Sequence, residues 1–109
     1  MSYVDALVGQ LVAGLKTNGL WENTQVVLWG DHGLWCKHTN FELDARAPLI
    51  ARVPGQSAAG SSTDALVEFV DIYPSLAEAA GLSIPQHVEG TSYVLLLNDP
   101  SLTWNDGGL

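Results

Sequence analysis

Residues 24–40 constrain this chain more than any other stretch: Thr-Gln-Val-Val-Leu-Trp-Gly-Asp-His-Gly-Leu-Trp-Cys-Lys-His-Thr-Asn. The apolar run Val26, Val27, Leu28, Trp29 stops at Gly30, and Asp31, His32 and Gly33 follow at once. Apolar residues in succession, rather than in alternation, predict a short strand buried on both faces, as in a parallel sheet. Open α/β sheets build their sites where such strands end, by delivering polar side chains at the C-terminal tip. Glycine on either side lets the backbone turn tightly and approach a ligand closely. A carboxylate oxygen and an imidazole nitrogen are both good ligands for a divalent cation. Lys37, four residues past Gly33 and one of four basic residues in the chain, is a candidate anchor for an anionic group. The plainer reading of the same residues is a solvated strand-to-loop turn with an exposed lysine.

The flanking segments read as scaffold for that tip. Tyr3, Val4, Leu7, Val8, Leu11, Val12 and Leu15 recur at helical spacing, with Ser2 as N-cap and Asp5 three residues on. Asn18-Gly19 closes that helix. A strand is expected over 25–29, a polar loop over 34–42, and a second strand over 47–53, with Pro48 at its first position or on an edge. Pro54-Gly55 marks a turn, 56–63 a small polar loop, and 64–69 either a third strand or the approach to a helix. That helix covers 71–80, with Asp71 as N-cap, Pro74 in the first turn and Gly81 as its stop. Residues 90–97 form a short apolar segment, and 99–109 a polar tail.

Composition narrows the function classes. The chain has 109 residues, room for about one small domain, and its 47% apolar content argues for a packed core over disorder. Twelve acids against four bases give a formal net charge of −8. Nucleic acid and anionic membrane surfaces both need a basic patch, so neither is an expected partner. No apolar run approaches the roughly 20 residues of a membrane span, and the first residues lack the basic and apolar regions of a signal peptide. Cys36 is the single cysteine, so it forms no disulfide within the chain, and the compartment is not legible from cysteine usage. It reads better as an inert thiol than as a nucleophile, His38 reads as a surface or packing histidine, and His87 lies in a turn with no evident partner.

The motifs in order resemble a known family. Val-Val-Leu-Trp-Gly-Asp-His-Gly is followed by Lys-His-Thr-Asn-Phe-Glu, then Ala-Pro-Leu-Ile-Ala-Arg-Val-Pro-Gly, then Val-Glu-Phe-Val-Asp-Ile-Tyr-Pro-Ser-Leu-Ala-Glu-Ala-Ala-Gly-Leu, then Glu-Gly-Thr-Ser. This series resembles the C-terminal half of the sulfatase catalytic domain, in the iduronate-2-sulfatase-like branch of the alkaline-phosphatase-like superfamily. The resemblance implies an α/β fold: a piece of that sandwich, with a few-stranded sheet flanked by helices, over residues 1–98. It implies hydrolysis of sulfate esters of sugars, with Ca²⁺ as cofactor and a sulfated carbohydrate as substrate. Asp31 matches a calcium ligand of the family, His32 the adjoining position that faces metal and nucleophile, and Lys37 the lysine that holds the substrate sulfate. Such enzymes are often lysosomal, periplasmic or secreted.

Two departures qualify what the resemblance implies. The family's nucleophile is a formylglycine made within Cys/Ser-x-Pro-x-Arg, beside an Asp-Asp metal pair, and neither pattern occurs in these residues. Cys36 is followed by Lys-His-Thr-Asn and does not fit it. The expectation is a partial catalytic domain, inactive alone. The second departure is a short loop: relatives of this branch place a second Gly-Glu-His-Gly before the Trp-x-Lys, whereas here Gly33 runs straight into Leu34-Trp35-Cys36-Lys37. Two other readings stand beside the sulfatase one: a phosphodiesterase or phosphonate hydrolase of the same superfamily, and a non-catalytic remnant or interaction module.

Overall fold

A computed structural model describes residues 2–34 and 38–104. The long N-terminal helix α1 spans Ser2–Thr17, with Asp5 in its first turn and Lys16 in its last, the arrangement that suits the helix dipole. Ser2 is already helical, so it is the first residue of the helix and not its cap. The C-terminus follows the sequence closely. Gly19 takes φ +68°, its N–H donates to Lys16 O (3.1 Å), and Leu20 N–H donates to Leu15 O (2.9 Å). That pair of bonds is a Schellman motif, and the left-handed φ is why glycine sits there.

A 3₁₀ turn, Trp21–Asn23, leads into strand β1, Val26–Trp29. Strand β2, Leu49–Arg52, pairs with β1 antiparallel, in the register Val26 to Arg52 and Trp29 to Leu49. The parallel arrangement expected from the apolar run is therefore corrected: within the described residues the sheet has these two strands only. Burial on both faces is corrected too. Val26 and Val27 are half-buried, while Leu28 and Trp29 are 42% and 50% exposed. The physical reason is that a two-stranded sheet gives the faces of β1 few neighbours among the described residues, so Leu28 and Trp29 stay open.

Arg52 ties these elements together. Its guanidinium donates to Trp21 O and to Thr24 O (3.0 Å), and pairs with Glu22 at 3.2 Å. The Trp21 ring takes two cations, Arg52 at 4.2 Å and Lys16 Nζ at 4.9 Å from its centroid. The end of α1, the 3₁₀ turn and β2 thus share one aromatic contact.

Between the strands lies a single helical turn, α2, Glu42–Ala45, which starts at the last residue of the expected loop 34–42 and covers residues for which the sequence suggested no element. Residues 64–69 are an approach and not a strand; they lead through a 3₁₀ turn, Phe69–Asp71, into α3, Ile72–Ala79. Pro74 falls in the first turn of α3 and is buried. Gly81, at φ +72°, closes α3 with a second Schellman pair, Gly81 N–H to Glu78 O and Leu82 N–H to Ala77 O. The apolar segment near residue 94 is helix α4, Val94–Asn98.

The core sits between α3 and α4 and is small: Ala77, Tyr93 and Leu96, with Pro74 and the polar pair Asp71 and Ser75. Asp71 does not cap α3 with its side chain, as the sequence suggested. Its carboxylate instead accepts Glu68 N–H (2.9 Å) and Thr91 N–H (2.7 Å), bridging two segments twenty residues apart. Ser75 continues the bridge, donating to Asp71 O (2.6 Å) and accepting Tyr93 N–H (2.9 Å). Gly90 is required there, because a Cβ would overlap the Val70 carbonyl. Burial pushes the Tyr93 phenol above its ordinary value, opposed by the nearby Ser75 hydroxyl and aided by the Asp71 charge. No helix among the described residues is long and apolar enough to cross a membrane.

Candidate functional site

The tip of β1 turns away from the sheet at Gly30, whose N–H donates to Pro48 O (3.0 Å). The next bond fixes the turn. Gly33 N–H donates to Asp44 O at 2.7 Å, which docks the tip on α2. A Cβ at Gly33 would overlap Leu43 O and come within 2.9 Å of Arg46 O. Glycine is therefore demanded by close backbone approach, and Asp31 and His32 are held on a loop that α2 buttresses.

Asp31 and His32 point at each other. His32 Nε2 lies 3.6 Å from Asp31 Oδ1, and His32 Nδ1 lies 2.8 Å from Gly33 O. A carbonyl only accepts, so the hydrogen-bond pattern assigns the proton of a neutral His32 to Nδ1. Nε2 then presents its lone pair toward the Asp31 carboxylate. A backbone carbonyl that fixes the far nitrogen is the usual way a protein orients a metal-binding imidazole. Both groups are accessible, the Asp31 side chain at 76% and that of His32 at 33%. An oxygen and a nitrogen converging at this distance fit one side of a divalent cation. They do not fill a coordination sphere, and no group of three or more His, Cys, Asp or Glu suited to a metal occurs among the described residues.

Lys37 and Cys36 lie outside the described residues, so the expected sulfate contact has no geometry here. His38 and His87 are exposed. The other three basic residues already have structural partners: Lys16 and Arg52 on Trp21, and Arg46 with Glu42 at 3.1 Å.

Asp44 is what sequence reasoning missed. It is 4% exposed, accepts a hydrogen bond from the Thr39 hydroxyl on Oδ2, and leaves Oδ1 buried with no hydrogen-bond partner among the described residues. Its backbone carbonyl holds Gly33 while its side chain holds Thr39, so one residue clamps both ends of the loop. No spacing in the sequence marks it; an acid between Leu43 and Ala45 reads as surface. A cavity of about 820 Å³ lies apart from the tip, between β2, residues 63–69 and α4, with Leu49, Ala51, Leu66, Tyr93 and Leu96 in its lining. It includes neither Asp31 nor His32.

The family model described as Sulfatase matches residues 1–82. Iduronate 2-sulfatase of Mus musculus is 33% identical over 116 aligned positions, covering 78% of this chain and 21% of its own. Arylsulfatase K of Canis lupus familiaris is 34% identical, covering 94% and 20%. The chain thus spans about a fifth of the length of these curated relatives. Among solved structures, BT4656 in complex with its substrate D-glucosamine-2-N,6-O-disulfate superposes with a TM-score of 0.86 at 30% identity, over 96% of this chain and 23% of that one. The phosphonate monoester hydrolase SpPMH from Silicibacter pomeroyi superposes with a TM-score of 0.82, also at 30% identity, over 96% and 22%.

Proposed function

The chain belongs to the sulfatase family, and from that premise we propose that it supplies part of the catalytic centre of a sulfuric ester hydrolase acting on sulfated sugars. The observation that carries this reading is the pairing of Asp31 Oδ1 with His32 Nε2 at 3.6 Å, on a tip that Gly33 and Asp44 hold in place. These two side chains form one side of a cation site, with Ca²⁺ as the cation that the family resemblance implies. Bound there, a divalent cation would supply Lewis-acid stabilisation of charge on the sulfuryl oxygens.

The roles of the chain's own residues follow from their chemistry. Asp31 contributes a negative charge that offsets the cation, and His32 contributes a neutral donor whose orientation is set by Gly33 O. Lys37 contacts the sulfate as a point charge, a role resting on the motif alone. Asp44 and Gly33 are positioning residues. The nucleophile is not among these residues, since no Cys/Ser-x-Pro-x-Arg occurs. A sulfated sugar as substrate draws support from BT4656, which is 30% identical and whose substrate is a glucosamine disulfate.

The likeness to a phosphonate monoester hydrolase favours one second reading, phosphoryl chemistry on the same scaffold. Turnover separates the two. The purified 109-residue chain is expected to hydrolyse neither an aryl sulfate nor an aryl phosphonate. Joined to the upstream half of a sulfatase domain carrying formylglycine, it is expected to hydrolyse the aryl sulfate, with about a 100-fold loss or more in Asp31→Asn. Sulfate turnover by the chain alone would sink this reading, and a preference for the phosphonate would replace it with the second.

A further inference from the structure

The last turn of α1 runs into a chemically reactive pair. Of the five asparagines in the chain, Asn18 alone is followed by glycine. A backbone nitrogen attacks the preceding asparagine side chain most readily when its own residue has no Cβ to crowd the five-membered ring. Asn18 and Gly19 are both exposed, and nothing lies within 4 Å of where a Gly19 Cβ would stand. The ring therefore has room to form.

Both reacting groups are nonetheless occupied. Asn18 Nδ2 donates to Gly14 O at 2.8 Å, beside the Asn18 N–H at 3.1 Å. Gly19 N–H, the attacking group, donates to Lys16 O at 3.1 Å with Gly19 at φ +68°. The bond to Gly14 O draws the side-chain amide back along α1, and ring closure requires it to swing toward Gly19 N. Both bonds belong to a helix end, and helix ends open at low cost.

The same cap is tied to the junction beyond it. Leu20 N–H donates to Leu15 O at 2.9 Å, and Leu20 O accepts Asn23 N–H at 3.0 Å and the Thr24 hydroxyl at 2.8 Å. Trp21 follows, with the Lys16 and Arg52 cations on its ring and the Arg52 guanidinium on its carbonyl. The geometry of the Asn18–Gly19 turn thus sets how α1 meets β2.

We propose that Asn18–Gly19 is a deamidation site, gated by opening of the α1 cap, whose product loosens the junction at Trp21. In the step, Gly19 N gives up its proton and bonds to Asn18 Cγ. The Cγ–Nδ2 bond breaks, and ammonia leaves carrying that proton. Water then opens the succinimide at either carbonyl, giving aspartate or isoaspartate at position 18. Either product removes the donor to Gly14 O and places a carboxylate where α1 already ends in partial negative charge. Isoaspartate also lengthens the backbone by one carbon, which displaces Gly19 N–H from Lys16 O.

The reaction is independent of the sulfatase reading, and its test needs no turnover. The 109-residue chain and a peptide of residues 14–24 are incubated in mildly alkaline buffer, and conversion at Asn18 is followed by mass spectrometry. The chain is expected to convert at least tenfold more slowly than the peptide, because two hydrogen bonds must open first. Trp21→Ala, which removes the stack behind the cap, is expected to recover most of that factor in the chain and to leave the peptide's rate unchanged. After conversion, amide exchange at Gly19, Leu20 and Asn23 is expected to speed up, while Ala80 and Gly81 at the end of α3 keep their protection. No product at Asn18 of the chain once the peptide has converted would overturn the site. Equal rates in chain and peptide would overturn the gate, as would a Trp21→Ala chain that converts no faster. Unchanged exchange at Leu20 and Asn23 after conversion would overturn the coupling to the junction.

Discussion

Four residues set the candidate site, and they act through different physical constraints. Gly33 acts through space: its Cα faces the carbonyls of Leu43 and Arg46, where no side chain fits. Gly33→Ala is therefore expected to push the tip off α2, at a cost on the order of 2 kcal/mol or more. Amide exchange reads it locally: Gly33 N–H, bonded to Asp44 O, should lose protection while the amides closing α3 keep theirs. Unchanged protection at Gly33 would show that the loop has room that the structure denies it. Asp31 and His32 act through lone-pair convergence, and the sequence shows both residues but not their relation. Adjacent acid and imidazole side chains point together or apart according to the turn beneath them, and that turn depends on Asp44, eleven residues beyond Gly33. Asp44 itself was illegible, because burial of a single acid in a four-residue helix leaves no periodic trace.

Elements with local signals were the ones the sequence disclosed. Both Schellman stops, at Gly19 and Gly81, are written in glycine placed just after a helical pattern, and the structure places both in the left-handed region. The start of α3 was half legible. Pro74 marked the first turn, but Asp71 turned out to bridge rather than cap, accepting the N–H groups of Glu68 and Thr91. Thr91 is twenty residues away, and no local rule reaches that far. Asp71→Ala is expected to leave two part-buried N–H donors unmet and to cost about 1–3 kcal/mol. Amide exchange at Glu68 and Thr91 should speed up together. Acceleration at Glu68 alone would mean that the carboxylate serves only its own turn. The direction of β1 was misjudged for a related reason: an apolar run reports what covers a strand, not which way its neighbour runs. Among the described residues the neighbour is antiparallel β2.

At the scale of the molecule the account is one of incomplete burial. Only Ala77, Tyr93 and Leu96 are buried hydrophobic residues among those described, while Leu, Ile, Val and aromatic side chains stand open on α1, β1 and β2. A chain with 47% apolar residues and four Trp has material for a larger core than it forms. The same incompleteness shows at the tip, where two ligands converge and no third is near among the described residues. Core and site are thus both partial among the described residues, in a chain that spans about a fifth of the length of its curated relatives.

Calcium titration of the 109-residue chain, followed by NMR at the His32 ring nitrogens, tests this most directly. The account predicts weak binding, in the millimolar range expected for few ligands. It further predicts a shift localised to His32 Nε2, with Nδ1 still bonded to Gly33 O, and loss of that shift in Asp31→Asn. Sub-micromolar binding by the chain alone, or no response at His32 up to several tens of millimolar, would contradict it.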